Sequence, residues 1–267
     1  MSILESKARI VVKIGSNTLT HTTGNLDLRR MELLVRILSD FKNAGHEVVL
    51  VSSGAVAAGI SRLGLGRRPE STEEKQALAA VGQAELMQVY EQFFGTYGHT
   101  VGQILMTKDV IDNPVRREIA ESTFRELLKL GCVPIVNEND SISSEEIKFG
   151  GNDTLSAYVA LVCHADILIN MSDIDGLYDS DPRKDPKAKL IDRVDVIDDT
   201  VISYAGGAGS DRGTGGMITK IKAAQIVTNE NIPMLIVNGK NPEVLYEISD
   251  GKHVGTYFAP ANKSSRK

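Results

Sequence analysis

The residues best suited to chemistry fall in five short segments. Gly206 to Lys220 reads Gly-Gly-Ala-Gly-Ser-Asp-Arg-Gly-Thr-Gly-Gly-Met-Ile-Thr-Lys and leads into a helix-like stretch. Glycines expose backbone N–H groups and let the chain approach a ligand closely. A helix N-terminus adds a partial positive charge, and Lys220 follows in the first turn or so. The segment suits a polyphosphate; it also suits a flexible glycine-rich surface loop. Lys13 sits at the end of a run that otherwise reads as buried, where a lysine must neutralise an anion or snorkel to solvent. Gly150-Gly151-Asn152-Asp153 precedes a helix. Asn152 or Asp153 fits the common role of N-cap; alternatively Asn152 holds a substrate polar group and Asp153 orients nearby lysines. Asn137-Glu138-Asn139-Asp140 fits a turn network or the recognition of an ammonium and a carboxylate. Ser52-Ser53-Gly54-Ala55 opens a helix, and its free N–H groups would bind an anion, a role compatible with a serine cap.

Absences narrow the chemistry. There is no G-x-x-x-x-G-K-[ST] phosphate loop, and no G-x-G-x-x-G follows the first apolar run. Both argue against the commonest nucleotide-binding families, and the second disfavours a dinucleotide-dependent dehydrogenase.

The elements that must position these segments alternate. Arg9–Ile14, Glu47–Val51, Val101–Met106, Cys132–Val136 and Ile167–Asn170 are short apolar runs rich in β-branched residues, and Pro233–Val237 follows late. Such runs read as buried parallel strands. Between them Asp27–Ala44, Thr72–Tyr97, Val115–Leu130, Asn152–Cys163 and Thr219–Asn229 have helical spacing. The alternation predicts an α/β three-layer sandwich, helices on both faces of a mainly parallel open sheet. In such sheets ligands bind beyond the carboxyl ends of the strands. Three of the five segments, at Lys13, Ser52–Ala55 and Asn137–Asp140, leave the predicted strands there, with Ser172-Asp173-Ile174-Asp175-Gly176 as a fourth polar exit. Tyr178–Lys189 reads as a loop excursion, residues 1–260 as one domain and 261–267 as a flexible tail.

Composition bounds the remainder. The chain has 267 residues, 42% hydrophobic and 24% charged, with net charge -5. No basic field favours nucleic acid as a partner. Cys132 and Cys163 lie in apolar surroundings without C-x-x-C spacing, the pattern of reduced core thiols in a cytoplasmic protein. The five histidines show no i,i+4 metal spacing, and no protein-held metal is expected. No apolar run reaches the roughly 18 residues of a membrane span.

In order along the chain, Val11–Ser16, Val51–Gly59, Lys75–Gln83, Val136–Asp140, Gly151–Ala157, Ser172–Tyr178 and Gly213–Lys220 resemble the amino acid kinase family. The resemblance is closest to its branch acting on the side-chain carboxylate of glutamate, at the first step of proline synthesis. It implies an ATP-dependent phosphotransferase, with ATP as co-substrate and Mg2+ carried on it. Lys13 and Lys220 would contact the phosphates and the transferring group, and Asp153 would hold the two lysines. Ser53, Asp140 and Asn152 would bind glutamate, with Gly54, Ala55 and Asn137 nearby. Ser172, Asp173, Tyr178, Asp181 and Pro182 would line the nucleotide site, and Thr214, Gly215, Gly216 and Met217 its phosphate loop. The resemblance further implies a homo-oligomer, dimer or tetramer, proline as feedback inhibitor, and hand-over of product to glutamyl-phosphate reductase. Many bacterial members carry a C-terminal PUA domain; the chain stops soon after Phe258 and is expected to lack it, which puts assembly and feedback in question.

A carboxylate acceptor is ionised at neutral pH and needs no general base, in keeping with the lack of a convincing catalytic histidine. Sibling kinases acting on aspartate, N-acetylglutamate, carbamate or UMP, and a non-catalytic amino acid or nucleotide sensor, are the alternatives.

Overall fold

The computed structural model describes residues 7–21, 23–144, 148–206 and 216–261. All six apolar runs become strands: β1 (Arg9–Ile14), β2 (Glu47–Ser52), β3 (Val101–Met106), β4 (Val133–Glu138), β5 (Ile167–Ser172) and β7 (Met234–Asn238). Two short strands, β6 (Arg193–Val194) and β8 (Thr256–Phe258), complete one sheet of order β3-β4-β2-β1-β5-β7-β8-β6. Every pairing is parallel except that of β7 with β8. At two and three residues, β6 and β8 are too short to show a period in sequence.

Four strands run further than their apolar runs, β7 by Asn238. β2, β4 and β5 continue into Ser52, Glu138 and Ser172, which the ladder pairs with Ile14, Met106 and Asn238. Backbone pairing thus holds polar side chains rigidly at the carboxyl end of the sheet.

The helices are α1 (Ser16–Leu19), α2 (Leu28–Asn43), α3 (Ala55–Leu63), α4 (Thr72–Thr96), α5 (Asp109–Asp112), α6 (Pro114–Lys129), α7 (Asn152–Val162), α8 (Asp199–Gly206), α9 (Met217–Asn229) and α10 (Val244–Ser249). Local chemistry sets several starts. Asp27 caps α2 by accepting from Arg30 N–H, and Ser71 caps α4 by accepting from Glu74 N–H. Asn113 caps α6, with Pro114 at its first position, where a missing N–H costs nothing.

Side chains alternate across the sheet. Ile10, Val12 and Ile14 of β1 join Leu50, Ile135 and Ile169 in a core with α2, α4 and α10. Val11 faces the other way, with Val49, Val136 and Leu168, against α6, α7 and α9. The three layers follow. By the same alternation Lys13, two positions after Val11, belongs to the face covered by α7 and α9.

Tyr178–Lys189 forms no helix or strand, only a bridge between Tyr178 and Leu190 at its end. The tail from 262 lies outside the described residues. Cys163 is a buried free thiol, pushed by burial up to about 12. Cys132 is also free but only half-buried, a correction to its expected place in the core: it precedes β4, where the chain enters from the surface turn at Gly131. Among the described residues no helix is long and apolar enough to cross a membrane.

Helices α3 and α4 touch backbone to backbone. A Cβ on Gly82 would lie 1.7 Å from Ala55 O and 2.4 Å from Gly59 N, and one on Gly59 would lie 2.1 Å from Leu78 O. Gly95, also in α4, faces open space. Gly82→Ala is therefore expected to lose about 2 kcal/mol or more by forced separation of the helices. Gly95→Ala should be neutral or gain up to ~1 kcal/mol from helix propensity. Urea denaturation of the two variants checks the contrast.

Candidate active site

Parallel pairing places Asn170 of β5 beside Lys13 of β1, so both side chains leave the same face at the carboxyl end of the sheet. Helices α7 and α9 cover that face and begin there. Asp153 is the second residue of α7 and Lys220 the fourth of α9. The four converge: Lys13 Nζ lies 2.6 Å from Asp153 Oδ1, and Lys220 Nζ 3.1 Å from Oδ2. Asn170 Nδ2 donates to Oδ1 at 3.0 Å and Thr219 Oγ1 to Oδ2 at 2.7 Å. Lys13, Asp153 and Lys220 are 6%, 3% and 5% exposed.

The electrostatics are lopsided. Burial alone would raise the Asp153 carboxyl; the charges of Lys13 and Lys220 outweigh it and hold the group well below the usual carboxylate range. Lys13 is pulled down by burial first, with the Lys220 charge acting in the same direction and Asp153 opposing. One carboxylate faces two cations in a water-poor place, so the centre favours a further anion. Asn170 Oδ1 is buried there without a hydrogen-bond partner among the described residues. Gly15 lies beside the centre, where a Cβ would stand 3.6 Å from Lys13 Nζ, in ordinary contact.

An open cleft of about 1180 Å³ lies alongside, lined by all six acceptor-site candidates: Ser53, Gly54, Ala55, Asn137, Asp140 and Asn152. Asn152 Nδ2 lies 2.8 Å from Ser53 Oγ, 2.9 Å from Asn137 Oδ1 and 3.1 Å from Ser52 O. Asn152 and Asp153 are not caps. The N-caps of α7 and α3 are Gly151 and Gly54, at φ 123° and 107°, and neither helix has a side-chain cap. Only glycine adopts such angles readily. The exchange frees Asn152 and Asp153 to point at the cleft and the lysines, and leaves the first N–H groups of α3 uncapped by any side chain. Burial raises the Asp140 carboxyl, with Lys75 and Lys148 pulling it back down. Glu138, raised chiefly by burial, accepts from Phe149 N–H at 2.9 Å and ties β4 to the approach to α7.

The nucleotide candidates are less tightly gathered. Ser172 is buried at the end of β5, with Oγ 3.3 Å from Asp173 Oδ1. Asp173 pairs with Arg183 Nη2 at 3.8 Å and acts electrostatically on Lys13. Tyr178 OH donates to Asp175 Oδ2 at 3.0 Å. Asp181 Oδ1 accepts from Arg183 N–H at 3.0 Å, a turn contact, and Pro182 follows it half-buried. None of these five lines the cleft. Gly216 is the uncapped N-cap of α9 and Met217 its first residue; Thr214 and Gly215 lie outside the described residues. Asn170, Thr219 and Gln83 were not picked out for a role by sequence reasoning. Asn170 carried a signal as an amide closing an apolar run, and Thr219 and Gln83 lie within the segments Gly213–Lys220 and Lys75–Gln83 that carry the resemblance.

Among known proteins, the model of the amino acid kinase family matches residues 8–238. The curated "Glutamate 5-kinase" of Clostridium tetani (strain Massachusetts / E88) is 54% identical over 255 residues, covering 96% of each chain. The one of Clostridium perfringens (strain 13 / Type A) is 50% identical over 259 residues, again 96% of each. The crystal structure of UMP kinase from Bacillus anthracis superposes with a TM-score of 0.64 at 18% identity, over 97% of this chain and 98% of that one; at that identity the likeness speaks for the fold. The family match runs from the residue before β1 to the end of β7, and so contains the whole lysine–aspartate centre and the cleft beside it: the chain belongs to the amino acid kinase family.

Proposed function

We propose that this chain transfers the γ-phosphoryl group of ATP to the side-chain carboxylate of L-glutamate, giving L-glutamyl 5-phosphate and ADP, the first step of proline biosynthesis. The observation that carries the reading is the buried Lys13–Asp153–Lys220 centre, its two cations opposed by one carboxylate, beside an open cleft with room for an amino acid. The names of relatives about half identical over nearly the whole chain support glutamate as that amino acid.

The chemistry follows from charge. An ionised carboxylate must approach an anionic triphosphate, and phosphoryl transfer is served by alignment and neutralisation rather than by a base. Lys13 and Lys220 would bridge the transferring group and the nucleotide phosphates while Asp153 keeps both ammonium groups aimed. Ser53, Asn152 and the first N–H groups of α3 would hold a carboxylate of glutamate, with Gly54, Ala55 and Asn137 shaping the pocket. Asp140 would take the α-ammonium, whose charge favours its ionised form. Ser172, Asp173, Tyr178, Asp181 and Pro182 would flank the nucleotide, with the 214–217 segment at its phosphates. Magnesium enters as part of the nucleotide substrate and lowers the charge carried into the site. The product is a labile acyl phosphate, so hand-over to a glutamyl-phosphate reductase, proline as feedback ligand, a homo-oligomer and a cytoplasmic setting belong to the same proposal.

Hydroxamate formation with ATP across glutamate, aspartate, N-acetylglutamate, carbamate and UMP tests the acceptor. Turnover with glutamate well above the rest is expected; phosphorylation of UMP alone would overturn the reading, and no turnover with any acceptor would favour a sensor. Lys13→Ala and Lys220→Ala should each lower kcat by about 10²–10³-fold, as for loss of one charge-stabilising group, while moving KM for glutamate far less. Steady-state kinetics with near-normal kcat in either variant would contradict the role of that lysine. Asp153→Asn leaves two buried ammonium groups without their counter-ion and should cost about 3–5 kcal/mol, read by urea denaturation.

A further inference from the structure

Gln83 is a buried amide that the mechanism above does not use. It follows Gly82 on α4, is 9% exposed and does not line the cleft. Its Oε1 accepts from Asn137 Nδ2 at 2.9 Å. Asn137 Oδ1, the other end of that amide, accepts from Glu138 N–H at 2.9 Å and from Asn152 Nδ2 at 2.9 Å. Asn152 Nδ2 in turn reaches Ser53 Oγ at 2.8 Å. A primary amide presents its acceptor and its donors on opposite sides, so neighbours on both sides fix its orientation. Gln83 supplies the acceptor behind Asn137, and the oxygen of Asn137 is thereby held towards the cleft.

A second group of α4 converges on the same place. Tyr90 lies seven residues on, on the same helical face, and its OH is 2.8 Å from Ser52 Oγ. The carbonyl of Ser52 is another acceptor for Asn152 Nδ2, at 3.1 Å. Gln83 and Tyr90 share the apolar stripe of Leu86 and Phe94, all buried. The close α3–α4 contact at Gly82 fixes the height of that stripe against the start of α3.

We infer that Gln83 is a positioning residue for the acceptor substrate, acting through Asn137 to hold Asn152 over Ser53 in the orientation that receives the amino acid. The inference rests on the glutamate reading of the cleft. It places a determinant of acceptor affinity outside the cleft, at a residue of α4 that does not line it, although Lys75 of the same helix does. Loss of one buried hydrogen bond of this kind is worth roughly a fivefold to tenfold change in affinity.

The test compares Gln83→Met, of similar volume but without the acceptor, with Gln83→Glu, which keeps an acceptor oxygen at the same reach, screened from the cleft by Asn137. Gln83→Met is expected to raise KM for glutamate by about fivefold to tenfold, with KM for ATP and the melting temperature little changed. Gln83→Glu should stay within threefold of the unaltered chain. In an Asn137→Ala background, Gln83→Met should have no further effect on KM for glutamate, because its route to Asn152 is already gone. A rise below threefold for Gln83→Met, an equal rise in both backgrounds, or a parallel rise in KM for ATP would overturn the inference. Should Gln83→Met not fold, the Gln83→Glu result decides, and a loss beyond threefold there overturns it. Absence of glutamate turnover by the unaltered chain overturns the glutamate reading and the inference with it. Turnover by the unaltered chain with KM unmoved in the variants overturns the inference alone.

Discussion

One buried carboxylate between two buried ammonium groups is the constraint on which the site depends. Lys13 comes from the first strand and Lys220 from a helix about two hundred residues later; neither would tolerate burial alone. Asp153 makes the burial possible and is itself held ionised by the two lysines. Removing Asp153 leaves two uncompensated cations, whereas removing either lysine leaves the carboxylate paired with the other. The same three groups leave net positive charge facing the sheet's carboxyl end. The arrangement is therefore both a structural necessity of this packing and a standing invitation to an anion.

The surrounding fold reads as a set of solutions to the positioning of that centre. Parallel pairing puts Lys13 and Asn170 side by side, and the alternation of side chains turns both towards α7 and α9. Those helices start at the crevice, so their first-turn residues, Asp153 and Lys220, arrive with their N–H dipoles pointing inward. Strand pairing extended into Ser52, Glu138 and Ser172 supplies rigid polar edges, while glycines at positive φ start α3 and α7 without side-chain caps. A carboxylate acceptor needs its charge neutralised and its geometry fixed, and a frame of this stiffness provides both without a proton acceptor.

Much of the architecture was legible in the residues. All six apolar runs are strands, and the five helical stretches are helices within a residue or two at each end. The signal was strong because strands buried on both sides carry near-continuous apolar runs. What was not legible has physical reasons. β6 and β8 are too short for a period. The polar ends of β2, β4 and β5 look like turns in sequence and become strand only because neighbouring backbones pair with them. At Asn152 and Asp153 the sequence left a cap and a binding role open; the glycine before them takes the cap, at a positive φ that glycine permits but does not require. The lysines, Asp153 and the six cleft residues were found from motif and resemblance. Gln83 was not singled out, since its role rests on a contact fifty-four positions away.

The central claim is that a single phosphoryl group passes between the two lysines. A crystal structure of this chain with glutamate, magnesium and a non-hydrolysable ATP analogue tests it most directly. The account predicts the terminal phosphate within hydrogen-bonding reach of both Lys13 Nζ and Lys220 Nζ, with a carboxylate of glutamate at Ser53 and Asn152 and its side-chain oxygen in line with that phosphorus. A terminal phosphate bound away from either ammonium group, with the lysines still closed on Asp153, would contradict it.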